Sequence, residues 1–136
     1  MAARHNRTRR VERAAAAAYL TKAAEFFASM QDALREGRWN AAGLTAVHCA
    51  ISANDALLAY YTQQRSASAD HEVAAYLLNS LATIPDVKAK AETLRRILHE
   101  KHVIEYEDRV CTAQEAAQLA KLTERFYQWA QELIEP

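Results

Sequence analysis

Residues 94–109 read LRRILHEKHVIEYEDR, two arginines followed by two histidines and a tyrosine set among acids. These are the groups a metal-free phosphodiester cleavage requires. Histidine moves protons near neutral pH, and a fixed guanidinium neutralises charge on the phosphate. On a helix Arg95, His99 and His102 fall at i, i+4 and i+7 and share one face. Arg96 and His102 are six positions apart, which turns their side chains about 120° from each other. Arg95 and His102 return to one face, but about 10 Å apart along the axis. One protomer therefore cannot easily aim both at one phosphate, whereas a dimer bringing His102 of one chain to Arg95 of the other can. A solvated polar face accounts for the same letters without any chemistry.

Other chemistries find less support. HEKH at 99–102 falls one residue short of the HExxH zinc motif, because position 103 is Val. Ser68, Arg96 and His99 stand three residues before His71, His99 and His102, so the ExxH pairs of di-iron bundles are missing. Two glycines in 136 residues leave little room for a glycine-rich phosphate cradle. His48 and Cys49 are neighbours and point about 100° apart on a helix, a poor nucleophile–base pair. Neither a metal nor a cofactor is expected.

Helical periodicity runs nearly end to end. A first helix is expected from Thr8 to Gly37 with the stripe Val11, Ala15, Tyr19, Ala23, Phe26, Phe27, Met30 and Leu34. Asn40 suits the cap of a second helix carrying Leu44, Val47, Ile51, Leu57, Leu58 and Tyr61, and Asp70 the cap of a short third with Val73, Tyr76, Leu77 and Leu81. TIPD at 83–86 breaks the chain. Pro85 and Asp86 then open the fourth helix, which holds LRRILHEKHVIEYEDR. Thr112 and Glu115 have capping-box spacing for a fifth, with Ala116, Leu119, Thr123, Phe126, Ala130 and Leu133 facing inward. No strand is read. Short connections favour antiparallel neighbours, so the fold class is all-α: an up-and-down antiparallel bundle of four long helices and one short helix.

Composition sets the bounds. The length is that of one domain, 51% of the residues are hydrophobic, and Gly and Pro number two each. No apolar run approaches the ~18 residues of a membrane span, and Cys49 and Cys111 form no disulfide framework, so a cytoplasmic setting is expected. Net charge is zero, yet the first thirteen residues hold five arginines against Glu12. Residues 1–10 read as a basic N-terminal arm and residues 11–136 as the bundle, whose mildly acidic body is a poor generic nucleic-acid binder. His48, Asn54 and Asp55 interrupt the buried stripe of the second helix. An unpaired buried carboxylate is costly, and Lys101, on the face of Leu94, Ile97, Leu98 and Ile104, is the expected partner of Asp55. Trp39, Tyr60, Tyr61, Phe126, Tyr127 and Trp129 are more aromatics than such a bundle readily hides, and an exposed patch among them would mark a dimer interface.

The second helix ending in NDALLAYY, the polar loop with SADHEVAAYLL, and LRRILHEKHVIEYEDR followed by an Ala-rich last helix together resemble HEPN domains, over roughly residues 40–134. One branch of that family carries a pair of leucines, an Arg, two residues and a small-acidic-Tyr triplet. Leu94 and Leu98 match the leucines, Lys101 takes the Arg position, and Ile104, Glu105 and Tyr106 take the triplet. The resemblance implies a homodimer with its fourth helices near the dimer cleft. Family members are metal-free endoribonucleases using Arg-x4–6-His, nucleotide binders, or partners of a small nucleotidyltransferase in toxin–antitoxin and defence systems. In this register the ribonuclease His position falls on Tyr106. Lysine lacks the bidentate fork of arginine, and a phenol ionises near 10, far from neutral. The expected function is thus a binding or regulatory module partnered by a nucleotidyltransferase. A divergent metal-free endoribonuclease and a nucleotide-binding adaptor are the alternatives, with RNA or a nucleotide as ligand. Arg95, His99 and His102 are the catalytic candidates. Lys101, Tyr106 and Asp55 are the candidates for a phosphate or nucleotide cleft.

Overall fold

Small side chains on one helix decide how this chain packs. The computed structural model describes residues 8–67 and 71–135. Its elements are β1 (Thr8–Arg10), α1 (Ala15–Arg35), α2 (Trp39–Thr62), β2 (Gln64–Ser66), α3 (His71–Asn79), α4 (Val87–Tyr106) and α5 (Ala113–Ile134). Along α2, Ala42, Gly43, Ala46, Ala50, Ala53, Ala56 and Ala59 are all buried, on more than one face. With so little side chain in the way, α1, α4 and α5 all pack closely against α2, which becomes the centre of the bundle.

Contacts fix the directions. Phe26 meets His48 with ring centroids 5.4 Å apart, and Arg13 lies over Tyr60, so α1 and α2 are antiparallel. Ala33, Ala42 and Ala116 cluster where α1 ends and α2 and α5 begin. Further on, Thr123 Oγ1 donates to the carbonyl of Ala46 at 3.3 Å, so α5 runs alongside α2. The short link over 107–112 returns α4 against both. Met30, Leu57, Leu78, Leu94, Ile97 and Phe126 form the shared core. The expected bundle of four long helices and one short helix is therefore observed.

Several local expectations change. Thr8 begins a strand, not a helix. Arg9 pairs with Arg65 and Arg10 with Gln64 in an antiparallel ribbon, closed by a bond from Val11 N–H to the Gln63 carbonyl. Three-residue strands show no alternation of their own, so this pairing across more than fifty residues of chain left no local signal. Asn40 does not cap α2. Arg38 stands at the cap, and Asn40 Oδ1 instead accepts from the backbone N–H of Cys111 at 2.8 Å. Asp70 lies outside the described residues. In α3 the inward residue is Leu78 rather than Leu77, and Tyr76 is 61% exposed. Pro85 precedes α4 instead of opening it. Asp86 is its cap, in the left-handed region at φ 67° with no side-chain cap bond, between the buried Ile84 and Val87 that pin the turn from both sides. Leu133 is only half-buried.

The capping box stands as read. Thr112 accepts from Glu115 N–H at 3.1 Å, and Glu115 accepts from Thr112 N–H at 2.9 Å. Arg109 donates to both Glu115 oxygens at 2.9 and 2.8 Å. That hydrogen bond, followed by one from the Thr112 backbone, holds the Glu115 carboxyl down to about 2. Thr112→Ala, which removes the cap acceptor, is expected to lower stability by about 1 kcal/mol in thermal or urea unfolding.

The aromatic patch is also redistributed. Phe126 and Tyr127 are buried, and Trp39, Tyr60 and Trp129 are partly covered. The exposed large apolar residues among those described are Tyr61, Tyr76 and Val110. The α5 aromatics are absorbed by the space the alanines of α2 leave open.

Candidate functional site

The middle of α4 is flanked by two grooves that share Glu72, Glu92 and Arg95 as their common wall. One, of about 640 Å³, lies towards α5 and is lined further by Arg96, His99, Glu100, Gln118, Lys121 and Leu122. The other, of about 480 Å³, lies towards α3 and β1, where Val73, Tyr76, Leu77 and Ala91 give it an apolar floor and Lys88 a charged edge. Both volumes lie within the range of small-molecule sites.

The α4 side chains sort by helical face. Leu94, Ile97 and Leu98 are buried in the core, so Arg95, Arg96 and His99 are turned outward. Arg95 is not free for an incoming anion. Its Nε lies 3.1 Å from Glu72 of α3, and its other end pairs with Glu92 one turn back. Arg96 and His99, three positions apart and hence neighbours on the surface, both face the larger groove, and Lys121 joins them from α5. His102, one turn on, is exposed and is not among the residues lining that groove. The structure thus brings together Arg95, Arg96 and His99, and leaves His102 outside. Lys121 had no local signal. It sits on an amphipathic helix whose polar face looked like any other, and only the packing of α5 on α4 brings it to the groove.

The signature positions divide as well. Leu94 and Leu98 are core residues, and half-buried Ile104 packs on Gly43. Lys101 is half-buried, and the Tyr106 side chain lies outside the described ones. Asp55 is buried, as expected, but its partner is not Lys101. Gly43 meets Ile104, so Lys101 lies about 4.5 Å from that level along α4, while Asp55 lies about 18 Å along α2. The charges that reach Asp55 are Arg65 of β2 and Lys22 of α1, and they lower its pKa less than burial raises it, leaving the carboxyl at about 6. Asp55 accordingly lines neither groove.

Cys49 is fully buried, and burial pushes its thiol up to about 12, which makes it a packing residue. Burial, followed by the charge of Glu115, also raises the thiol of Cys111. Among the described residues no three His, Cys, Asp or Glu side chains gather where they could hold a metal ion. No helix among them is long and apolar enough to cross a membrane.

Helix order, the central alanine-rich α2 and an α4 that carries its leucines inward and its Arg and His residues outward point to one family, and the HEPN domain model matches residues 16–133. The chain belongs to the HEPN family. The match leaves out the ribbon strand β1 and takes in all five described helices almost to their ends. In this HEPN domain the formal Arg-x5-His pair of Arg96 and His102 is split, the arginine lining the groove and the histidine lying beyond it. No curated protein matches the sequence.

Proposed function

We propose that this HEPN domain is a binding and regulatory module that works with a small nucleotidyltransferase, in a toxin–antitoxin or defence setting, rather than a ribonuclease. The observation that supports this most directly is the charge balance of the α4–α5 groove. Arg95, Arg96 and Lys121 face Glu72, Glu92 and Glu100, and Arg95 is already paired with two of those carboxylates. A phosphodiester entering there has to displace carboxylates from the guanidinium that would receive it. A cleaving site needs its cation aimed at the phosphate beforehand. The nucleotidyltransferase partner is what HEPN resemblance implies. The groove itself, about 640 Å³, has the volume of a small-molecule site and suits a bound nucleotide.

The ribonuclease reading keeps one observation in its favour. Arg96, His99 and Lys121 share one groove, which supplies cations and a proton-transfer group side by side. Incubation of the protein with structured and single-stranded RNA in EDTA separates the readings. No cleavage above that of the His99→Ala and Arg95→Ala variants is expected. Products with 2′,3′-cyclic phosphate ends that disappear in both variants would establish the ribonuclease instead. His102→Ala belongs in the same assay, because a site completed across a dimer would need it.

A homodimer is part of this proposal. HEPN domains commonly dimerise, and the outward face of α4 is the surface that a second copy would cover. Sedimentation equilibrium at micromolar concentration is expected to give twice the 15.3 kDa chain mass. A single species of chain mass would remove the dimer and with it any site shared between protomers.

A further inference from the structure

At the end of the bundle where α1 begins and α2 ends, the β1–β2 ribbon gathers positive charge. Arg9 and Arg65 stand directly opposite each other across the antiparallel pair, with Arg10 next in line. Like charges in directly opposed positions weaken a ribbon, so this pairing is not there to hold the strands together. None of Arg9, Arg10 and Arg13 takes part in an ion pair among the described residues, whereas the charge of Arg65 acts on the buried Asp55. This contrasts with Arg95, Arg35 and Arg109, each of which is matched by a carboxylate.

An aromatic pair adjoins one of these cations. The Arg13 guanidinium sits 4.3 Å over the ring centre of Tyr60, and Tyr60 meets Tyr61 edge to face at 5.0 Å. Tyr61 is 39% exposed. Guanidiniums outside any ion pair and a partly exposed aromatic ring are the two components of a single-strand binding surface: the cations take the phosphates, and unpaired bases stack on the ring. A duplex offers the phosphates but hides the base faces. We propose that the ribbon end of the bundle, with Arg9, Arg10, Arg13 and Tyr61, binds single-stranded nucleic acid through its phosphates and base faces. This surface is separate from the α4 groove and does not depend on the role proposed for it. The mildly acidic body of the chain confines the interaction to this end.

Fluorescence anisotropy with the full chain tests it, using labelled oligo(U) and oligo(dT) of equal length and inorganic polyphosphate of equal charge as competitor. Both oligonucleotides are expected to bind alike, with log affinity falling against log salt at a slope of about −2 for three phosphate contacts. Polyphosphate should compete about tenfold less well, because it has nothing to stack. Arg9→Glu combined with Arg10→Glu should weaken binding by about tenfold or more. The carboxylate that Arg9→Glu introduces faces Arg65, so the ribbon is strengthened rather than broken and the loss cannot be ascribed to unfolding. Tyr61→Ala should weaken binding severalfold and leave the salt slope unchanged. Polyphosphate competing as well as the oligonucleotides, a tenfold preference for RNA or DNA, or a double variant that binds like the parent would each overturn the proposal. So would the absence of binding at low salt.

Discussion

Asp55→Asn is expected to stabilise the protein at pH 7.5 by about 2 kcal/mol and to lose that advantage at pH 4. Burial raises the Asp55 carboxyl from 3.8 to about 6 in the fold, against the lowering influence of Arg65 and Lys22. A carboxyl with a raised folded pKa binds its proton more tightly when folded than when unfolded. Its presence therefore costs nothing at pH below about 4, costs progressively more between about 4 and 6, and costs the full amount above that. Two pH units correspond to about 3 kcal/mol at most, and the amide returns part of this because it too is a buried polar group. Asn54 beside it already has a buried Oδ1 with no hydrogen-bond partner among the described residues. Urea unfolding of both proteins at pH 4, 6 and 7.5 provides the check. A difference that does not change with pH, or a loss of stability in the variant at pH 7.5, would show that Asp55 is stabilised by its surroundings. Arg65→Gln should have the opposite effect and steepen the decline of stability with pH, since Arg65 is the larger of the two charges that lower the carboxyl.

Gly43→Val is expected to cost about 3 kcal/mol, the upper part of the range for overpacking a filled core. A Cβ at this position meets Ile104 Cδ1 at 2.8 Å and Cys111 Sγ at 3.7 Å. Valine adds two further methyl groups to that space. Gly43→Ala behaves differently: the contact is with the far end of a flexible side chain, and alanine gains about 1 kcal/mol over glycine in a helix. It should be close to neutral. Ile104→Ala in the Gly43→Val background should recover most of the loss, and chemical denaturation of the four proteins completes the cycle. Additive single effects, with no recovery in the double variant, would show that the strain of Gly43→Val does not arise at Ile104. Ile104 ends the face of α4 that carries Leu94, Ile97 and Leu98. The closeness allowed by Gly43 therefore also sets how α4 presents its outer residues to the grooves.

Much of this was legible in the order of residues. Apolar positions at helical spacing reveal five helices, because each helix must bury one face and its pattern is local. Thr112 and Glu115 announce the start of α5 because a capping box is satisfied within four residues. Leu94, Leu98 and Ile104 fall inward for the same local reason, and this fixes Arg95, Arg96 and His99 outward. The polar interruption at Asn54 and Asp55 also marks a buried polar site from sequence alone. What completes each of these features comes from distant parts of the chain. The partner of Asp55 was decided by the axial position of α2 against α4, which Gly43 and Ile104 set, and Lys101 lies at the wrong level. Arg95 was neutralised by Glu72, twenty-three residues away on α3. Lys121 joined the groove because α5 lies against α4. The strand at Thr8–Arg10 exists only because Gln64–Ser66 lies beside it. Helical periodicity is an interaction of a residue with its own next turn, so the sequence carries it directly. Charge pairing and groove composition depend on which helices meet and at what height, and those are settled by the side-chain volumes of the whole core at once.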